Sequence, residues 1–269
     1  MITDFNWLKN QTDEDGVKTL ELLEKKYFEI YEKGKISKNK SLFSLKLGDY
    51  NLWLRECSFH SSLDMYVDIF KNNRHFLLPD FYENSKTVID CGAHEGYYTL
   101  RVKKECPQAK IIAVEPNSLN FEILLRNVKY NKLSDVCCIN KALYVERKTI
   151  PFYFVEYVGS VGGVDPSLLK NLHSWIKGEI KETDIETITL PEVLGSMKVD
   201  ILKLDIQGVE LAVLEKERDL IKSNVKRIIV EYHKKYERDK LINLLESIDF
   251  ELCLEEKNKF PADLYFIKK

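Results

Sequence analysis

Three carboxylates in this chain stand where a short apolar run stops. Asp90 follows Thr87-Val88-Ile89, Glu115 follows Ile111-Ile112-Ala113-Val114, and Asp205 follows Ile201-Leu202-Lys203-Leu204. One acid at such a place proves little, but the spacing adds information. Asp90 opens the loop Asp90-Cys91-Gly92-Ala93-His94-Glu95-Gly96, whose two glycines suit a tight turn and a close approach of backbone to ligand. Glu115 comes 23 residues after Gly92. From there a carboxylate accepts hydrogen bonds from both ribose hydroxyls of an adenosine.

The same loop discriminates between adenosine cofactors. A dinucleotide fingerprint needs a glycine in the middle of its loop, so that the pyrophosphate can touch the backbone. Here that place is taken by His94, whose side chain would crowd a pyrophosphate. The leading Asp90 would repel a phosphate and tolerate a ligand carrying an ammonium and a sulfonium. The pattern therefore favours S-adenosyl-L-methionine over a nicotinamide dinucleotide. The rival outside enzymology is an adenosine-binding module without catalysis.

Elements must position these groups. From Lys86 the chain alternates strand and helix. Strands are predicted at Thr87–Asp90, Lys110–Glu115, Val136–Ile139, Val199–Asp205 and Lys226–Glu231, with helices over Tyr97–Cys106, Ser118–Tyr130 and about 237–248. Phe250–Leu254 and Leu264–Ile267 read as a closing strand pair. This alternation implies an α/β fold with a mostly parallel sheet, helices on both faces and all the strand-end loops on one edge. Residues 1–85 read as an N-terminal α+β cap, and 86–269 as the catalytic domain. In the cap, 13–33 is an amphipathic helix stopped at Gly34, Ser41–Leu47 and Tyr50–Leu54 form a strand pair, and 61–72 is a helix with a Ser61/Asp64 capping box. The glycine-rich Gly159–Gly163 reads as a mobile substrate loop.

Composition limits the partners. With 41 basic and 43 acidic residues the net charge is −2, without the basic excess that duplex binding needs. Nucleic acid is disfavoured, and an RNA or protein methyltransferase ranks below a small-molecule enzyme. No basic, apolar leader and no run of about 18 apolar residues is present, so a cytoplasmic protein without a membrane span is expected. The six cysteines form no Cys-x-x-Cys pair, which fits reduced thiols. His60, His75 and His173 lack ligand spacing, so no structural zinc is expected, with a divalent ion aided by Asp205 and Glu231 as the alternative. Nothing in the sequence sets an oligomeric state.

Four motifs in order make the reading specific. Val88-Ile-Asp-Cys-Gly-Ala-His-Glu-Gly-Tyr-Tyr-Thr-Leu100 resembles motif I of the FkbM-type methyltransferases. Ala113-Val-Glu-Pro-Asn117 with Asn127, then Asn140-Lys-Ala142, resemble the two segments that follow. Asp200-Ile-Leu-Lys-Leu-Asp-Ile-Gln-Gly-Val-Glu210 resembles the family's most distinctive run. Departures are His94, where the family commonly has asparagine, and Gln207, where it commonly has glutamate. The resemblance implies a class I methyltransferase (Rossmann-like) fold with a seven-stranded sheet. It implies methyl transfer from S-adenosyl-L-methionine, most often to a hydroxyl, here of a small-molecule or glycan acceptor. By matched position, Asp90, Gly92, Ala93, His94 and Gly96 would face the methionine end and Glu115 the ribose. Asn117, Asn140 and Ala142 would border the adenine, and Asp205 and Glu210 would lie between cofactor and acceptor.

A hydroxyl acceptor gains typically 10²–10⁴-fold from a general base. Asp205 is the first candidate. His233, just after the fifth strand, is the second, because an unperturbed imidazole titrates near pH ~6.5. Glu210 is the third, with capping of the next helix as its alternative role.

Overall fold

The computed structural model describes residues 3–33, 37–155, 157–172, 179–257 and 259–269; Gly34 and His173 lie outside them. The chain begins with helices α1 (Phe5–Lys9) and α2 (Glu14–Lys33), the hairpin β1 (Leu42–Leu47) and β2 (Tyr50–Arg55), and helix α3 (Phe59–Phe70). There follow β3 (Thr87–Cys91), α4 (Tyr97–Glu105), β4 (Lys110–Val114), α5 (Ser118–Tyr130) and β5 (Val136–Ile139). An inserted region contains β6 (Ala142–Leu143), β7 (Thr149–Val155), β8 (Val158–Gly163), α6 (Pro166–Leu172), β9 (Ile180–Ile188) and α7 (Leu190–Leu194). The chain then returns through β10 (Val199–Leu204), α8 (Glu210–Lys216), α9 (Arg218–Asn224), β11 (Val225–Tyr232), α10 (Arg238–Ser247), β12 (Phe250–Glu255) and β13 (Ala262–Lys268).

Seven strands form one sheet in the order β12-β13-β11-β10-β3-β4-β5. β11, β10, β3, β4 and β5 run parallel, and β13 and β12 join antiparallel. The chain proceeds outward from β3 to β5, then returns to the other side of β3 as β10. The switch point thus falls between β3 and β10, where open α/β sheets bind ligands beyond their carboxyl ends. Every residue of β10 is buried, as expected for a central parallel strand covered on both faces.

Side chains alternate between two cores. Val88, Ile111, Ile201, Ile229 and Tyr265 share one apolar cluster with Phe5, Leu20, Tyr27, Leu52 and Leu63. Ile89, Leu202, Ile228 and Val230 share another with Leu214, Ile221, Leu241 and Leu245. Each large side chain buried this way contributes about 1.5–3 kcal/mol. The residues before Thr87 thus share the core on one face of the sheet with helix α4.

Two local readings change. Helix α3 starts after Ser58, and Asp64 caps nothing: it accepts from the hydroxyls of Tyr27 and Tyr31, each at 2.9 Å, and from Thr3. The tertiary contacts of α2 with α3 claim the carboxylate. Gly159–Gly163 is strand, not loop. It is part of β8, which pairs antiparallel with β7 in a four-stranded sheet ordered β6-β9-β7-β8. Gly163 fits there because a Cβ would stand 3.0 Å from the Cβ of Gln207.

Candidate active site

The loop after β3 and the end of β10 meet backbone to backbone. Gly92 has φ +80°, and a Cβ on it would lie 1.8 Å from the carbonyl oxygen of Asp205. The Asp205 amide in turn donates to the Cys91 carbonyl at 3.0 Å. Only glycine permits this approach.

Beneath the loop lies a buried ion pair. Lys203 Nζ is 3.1 Å from Asp90 Oδ1 and donates to the Gly92 carbonyl at 2.9 Å. Thr99 Oγ1 donates to the other Asp90 oxygen at 2.8 Å. Burial pulls the Lys203 ammonium toward neutrality, but Asp90 and Asp205 outweigh it and hold its pKa above the ordinary lysine value. Asp90 is fully buried and turned toward Lys203, so it anchors the loop from behind.

Glu115, at the end of β4, is 5% exposed. One oxygen accepts the His94 amide at 2.8 Å, the other the Asn117 amide at 2.9 Å and Asn120 Nδ2 at 3.3 Å. Burial pushes its pKa up to about 7 against these donors. Asn117 also caps α5 through the Leu119 amide, and Asn120 Nδ2 holds the Gly159 carbonyl of β8 at 2.8 Å. The inserted sheet is thereby tied to the Glu115 loop. Burial pushes the His94 imidazole down to about 4, so it is neutral at ordinary pH.

A cavity of about 520 Å³ joins these groups to the ends of β10 and β11. Of the residues expected from sequence, Gly92, His94, Glu115, Asn117, Ala142, Asp205 and His233 line it. Ala93 and Gly96 lie beside it in the loop, and Asn140 lies next to it, with Nδ2 donating to the Glu115 carbonyl at 2.8 Å. Glu210 is fully buried behind His233. Its two oxygens accept the Ile206 and Gly208 amides at 3.0 and 2.9 Å, closing the turn that precedes α8. The same carboxylate meets His233 Nδ1 at 3.0 Å. Glu210 is thus a positioning group for the turn and the imidazole.

His233 does not keep the ordinary histidine pKa. Burial lowers it, but Glu210 and Glu231 raise it well above the usual value, so the ring carries its proton at neutral pH. Glu231, a further member of the cavity wall, is held well below the carboxylate range by Arg74 and His233 in spite of its burial. Arg74 Nη2 is 2.5 Å from Glu231 Oε1 and 3.8 Å from Asp205 Oδ2. Sequence reasoning missed Arg74, Met65 and Asp68, which bring the N-terminal region to the cavity. No local pattern marks them. Lys203 did leave a signal, as a charge inside an otherwise apolar strand.

Fold and site together define a class I methyltransferase, with its parallel sheet and its glycine loop opposite an acid at the end of the neighbouring strand. The profile of the methyltransferase FkbM domain matches residues 90–258. This chain belongs to the FkbM methyltransferase family and is an S-adenosylmethionine-dependent methyltransferase. It is 29% identical over 205 residues to methyltransferase sdnD of Sordaria araneosa, covering 67% of this chain and 79% of the relative. It is 26% identical over 203 residues to methyltransferase 1 of Beauveria bassiana, covering 66% and 77%. Among solved structures, the methyltransferase FkbM of Methylobacillus flagellatus KT superposes with a TM-score of 0.52 at 16% identity. That superposition covers 97% of this chain and 57% of the other. Among the described residues no helix is long and apolar enough to cross a membrane.

Proposed function

We propose that this enzyme holds S-adenosyl-L-methionine between the Gly92–Gly96 loop and Glu115, and transfers its methyl group to a hydroxyl of a small molecule or glycan. One observation carries the reading: a single cavity runs from Glu115 and Asn117 past Gly92 and His94 to Asp205, Glu231 and His233. Its volume, about 520 Å³, falls within the range of small-ligand pockets.

In this reading Glu115 accepts the ribose hydroxyls, and Asn117, Ala142 and Leu143 border the adenine. The carbonyls and amides of the Gly92 loop face the methionine end, with Asp90 and Lys203 stiffening that loop from beneath. Asp205 stands between the two ends of the cavity. Methyl transfer is an in-line displacement: the C–S bond breaks as the C–O bond forms, and the sulfonium charge is discharged. Alignment of the two reacting atoms supplies much of the rate. The hydroxyl proton passes to Asp205, the carboxylate facing the cavity. The protonated His233 ring, set by Glu210, lies 3.6 Å from Asp205 Oδ1 and orients it.

Isothermal titration with S-adenosyl-L-methionine tests the cofactor; a folded protein that does not bind it refutes the proposal. Transfer of a radiolabelled methyl group into fractionated cell extract tests the acceptor. Label recovered as a base-labile ester or on nitrogen would refute the hydroxyl assignment.

A further inference from the structure

Asp205, Glu231 and His233 each offer one ligand atom on the cavity wall, and the three atoms lie within 4.8 Å of one another. The His233 nitrogen is 3.4 Å from Glu231 Oε2 and 3.6 Å from Asp205 Oδ1. Glu231 Oε2 and His233 Nε2, on side chains only 2% and 5% exposed, form no well-shaped hydrogen bond and face each other as a loose ion pair at 3.4 Å. A buried charged pair without well-formed hydrogen bonds is weakly compensated, which leaves both atoms available to a further ligand.

The opposite atoms of the same side chains are firmly held. Glu210 occupies His233 Nδ1 at 3.0 Å, and Arg74 occupies Glu231 Oε1 at 2.5 Å. Arg74 and Lys203 face Asp205 Oδ2 at 3.8 and 3.9 Å, while Gln207 Nε2 donates to Oδ1 at 3.1 Å and would share that oxygen with a cation. A carboxylate on the far nitrogen of a histidine is the usual outer support of a metal-bound imidazole, fixing its tautomer and aim. Charge points the same way. Asp205, Glu231 and Glu210 are three carboxylates, and Arg74 is the cation set among them. Lys203, 3.9 Å from Asp205, is shared with Asp90. With His233 protonated the group is short of one positive charge, and ligation, which takes that proton, leaves it short of two.

We propose that Asp205, Glu231 and His233 bind one divalent first-row cation, with coordination positions left open toward the cavity. One imidazole nitrogen with two carboxylate oxygens suits Mn²⁺ or Zn²⁺ better than Ca²⁺ or Mg²⁺, which prefer oxygen donors throughout. Adjacent donors around such an ion, at bonds of about 2.0–2.2 Å, lie about 3 Å apart, so the two spacings to His233 need a contraction of about half an ångström. Ligation displaces the proton from His233 Nε2 into solvent. Where the methyl-transfer reading above holds, the ion takes the acceptor hydroxyl on an open position and makes it easier to ionise.

The test is titration of the folded, ligand-free chain with Mn²⁺, following free Mn²⁺ by electron paramagnetic resonance and heat by calorimetry. One equivalent should bind, Zn²⁺ should compete for it, and protons should be released. Asp205→Asn and His233→Gln should weaken binding at least tenfold. Glu210→Gln, which keeps all three ligands, should weaken it about tenfold through the imidazole. If Asp205→Asn does not fold, His233→Gln carries the same comparison. A folded wild type that binds neither ion, or affinities unchanged in the variants, would overturn the site. Binding of Mn²⁺ without binding of S-adenosyl-L-methionine supports the cation site and refutes the cofactor reading; the reverse refutes the cation site alone.

Discussion

Arg74 and Glu231 stand 157 residues apart in sequence and meet at 2.5 Å, where the N-terminal region closes over the end of β11. Both are largely buried, with side-chain exposures of 13% and 2%. Removing one partner of a buried ion pair leaves the other uncompensated, at a cost of about 3–5 kcal/mol. Arg74→Met is expected to destabilise the protein by that order. Arg74→Met/Glu231→Gln should recover a large part of the loss. Urea unfolding of the two single variants and the double variant gives the coupling; strictly additive losses would show that the pair is not energetically linked.

Gly92 is the second sensitive position. A methyl group there would collide with the Asp205 carbonyl oxygen and would sit at φ +80°. The strained backbone alone costs about 1–3 kcal/mol. Gly92→Ala should therefore lower the denaturation midpoint and weaken binding of S-adenosyl-L-methionine, since the loop must move away from β10. Unchanged affinity with a normal midpoint would contradict the close approach.

Glu115 should give cofactor binding a pH dependence. Its carboxyl is raised to about 7, so its charged form fills in as pH rises through neutrality. The charged form is the stronger acceptor for ribose hydroxyls, by about 1.5–3 kcal/mol for a charged hydrogen bond. Affinity for S-adenosyl-L-methionine should rise about five- to tenfold between pH 6 and pH 8, and Glu115→Gln should flatten that rise. Glu115→Ala should cost about tenfold or more at pH 8. Calorimetric titration at the two pH values checks both statements.

Glu95 predicts a slope of stability with pH. It is fully buried, accepts the Tyr97 hydroxyl at 2.7 Å and is raised to about 7 by burial, against an ordinary value of 4.5. Between those values the folded chain keeps a proton that the unfolded chain has lost. Stability from this group is therefore full below 4.5, declines as pH rises through the window and is lost above about 7, by about 3 kcal/mol at most. Glu95→Gln removes that decline. The difference between wild type and variant midpoints, followed from pH 5 to pH 8, isolates this effect from those of other groups.

Much of this was legible along the chain. The strands carrying Asp90, Glu115 and Asp205 show as apolar runs because both of their faces are buried, and the glycine loop shows because turns restrict residue type. Of the inserted sheet, the apolar and aromatic run Thr149–Val155 that forms β7 is legible as a strand, and the rest is not. Gly159–Gly163 has a loop composition, and its strand character comes from pairing with β7 and from close packing of Gly163 on Gln207. The capping role expected of Asp64 failed for a similar reason, since Tyr27 and Tyr31 arrive from a distant helix.

Local residue types, then, determined by themselves the alternating architecture and the family, and placed Gly92, Glu115 and Asp205 at strand ends, because backbone turns and strand-end chemistry depend on near neighbours. Tertiary structure alone decided what surrounds them. It turned Asp90 inward onto Lys203, made Glu210 a support for His233 and set Arg74 against Glu231. The physical reason is that burial and the field of nearby charges fix the state of an ionisable group. Both depend on which residues meet in space, and no spacing along the chain records that.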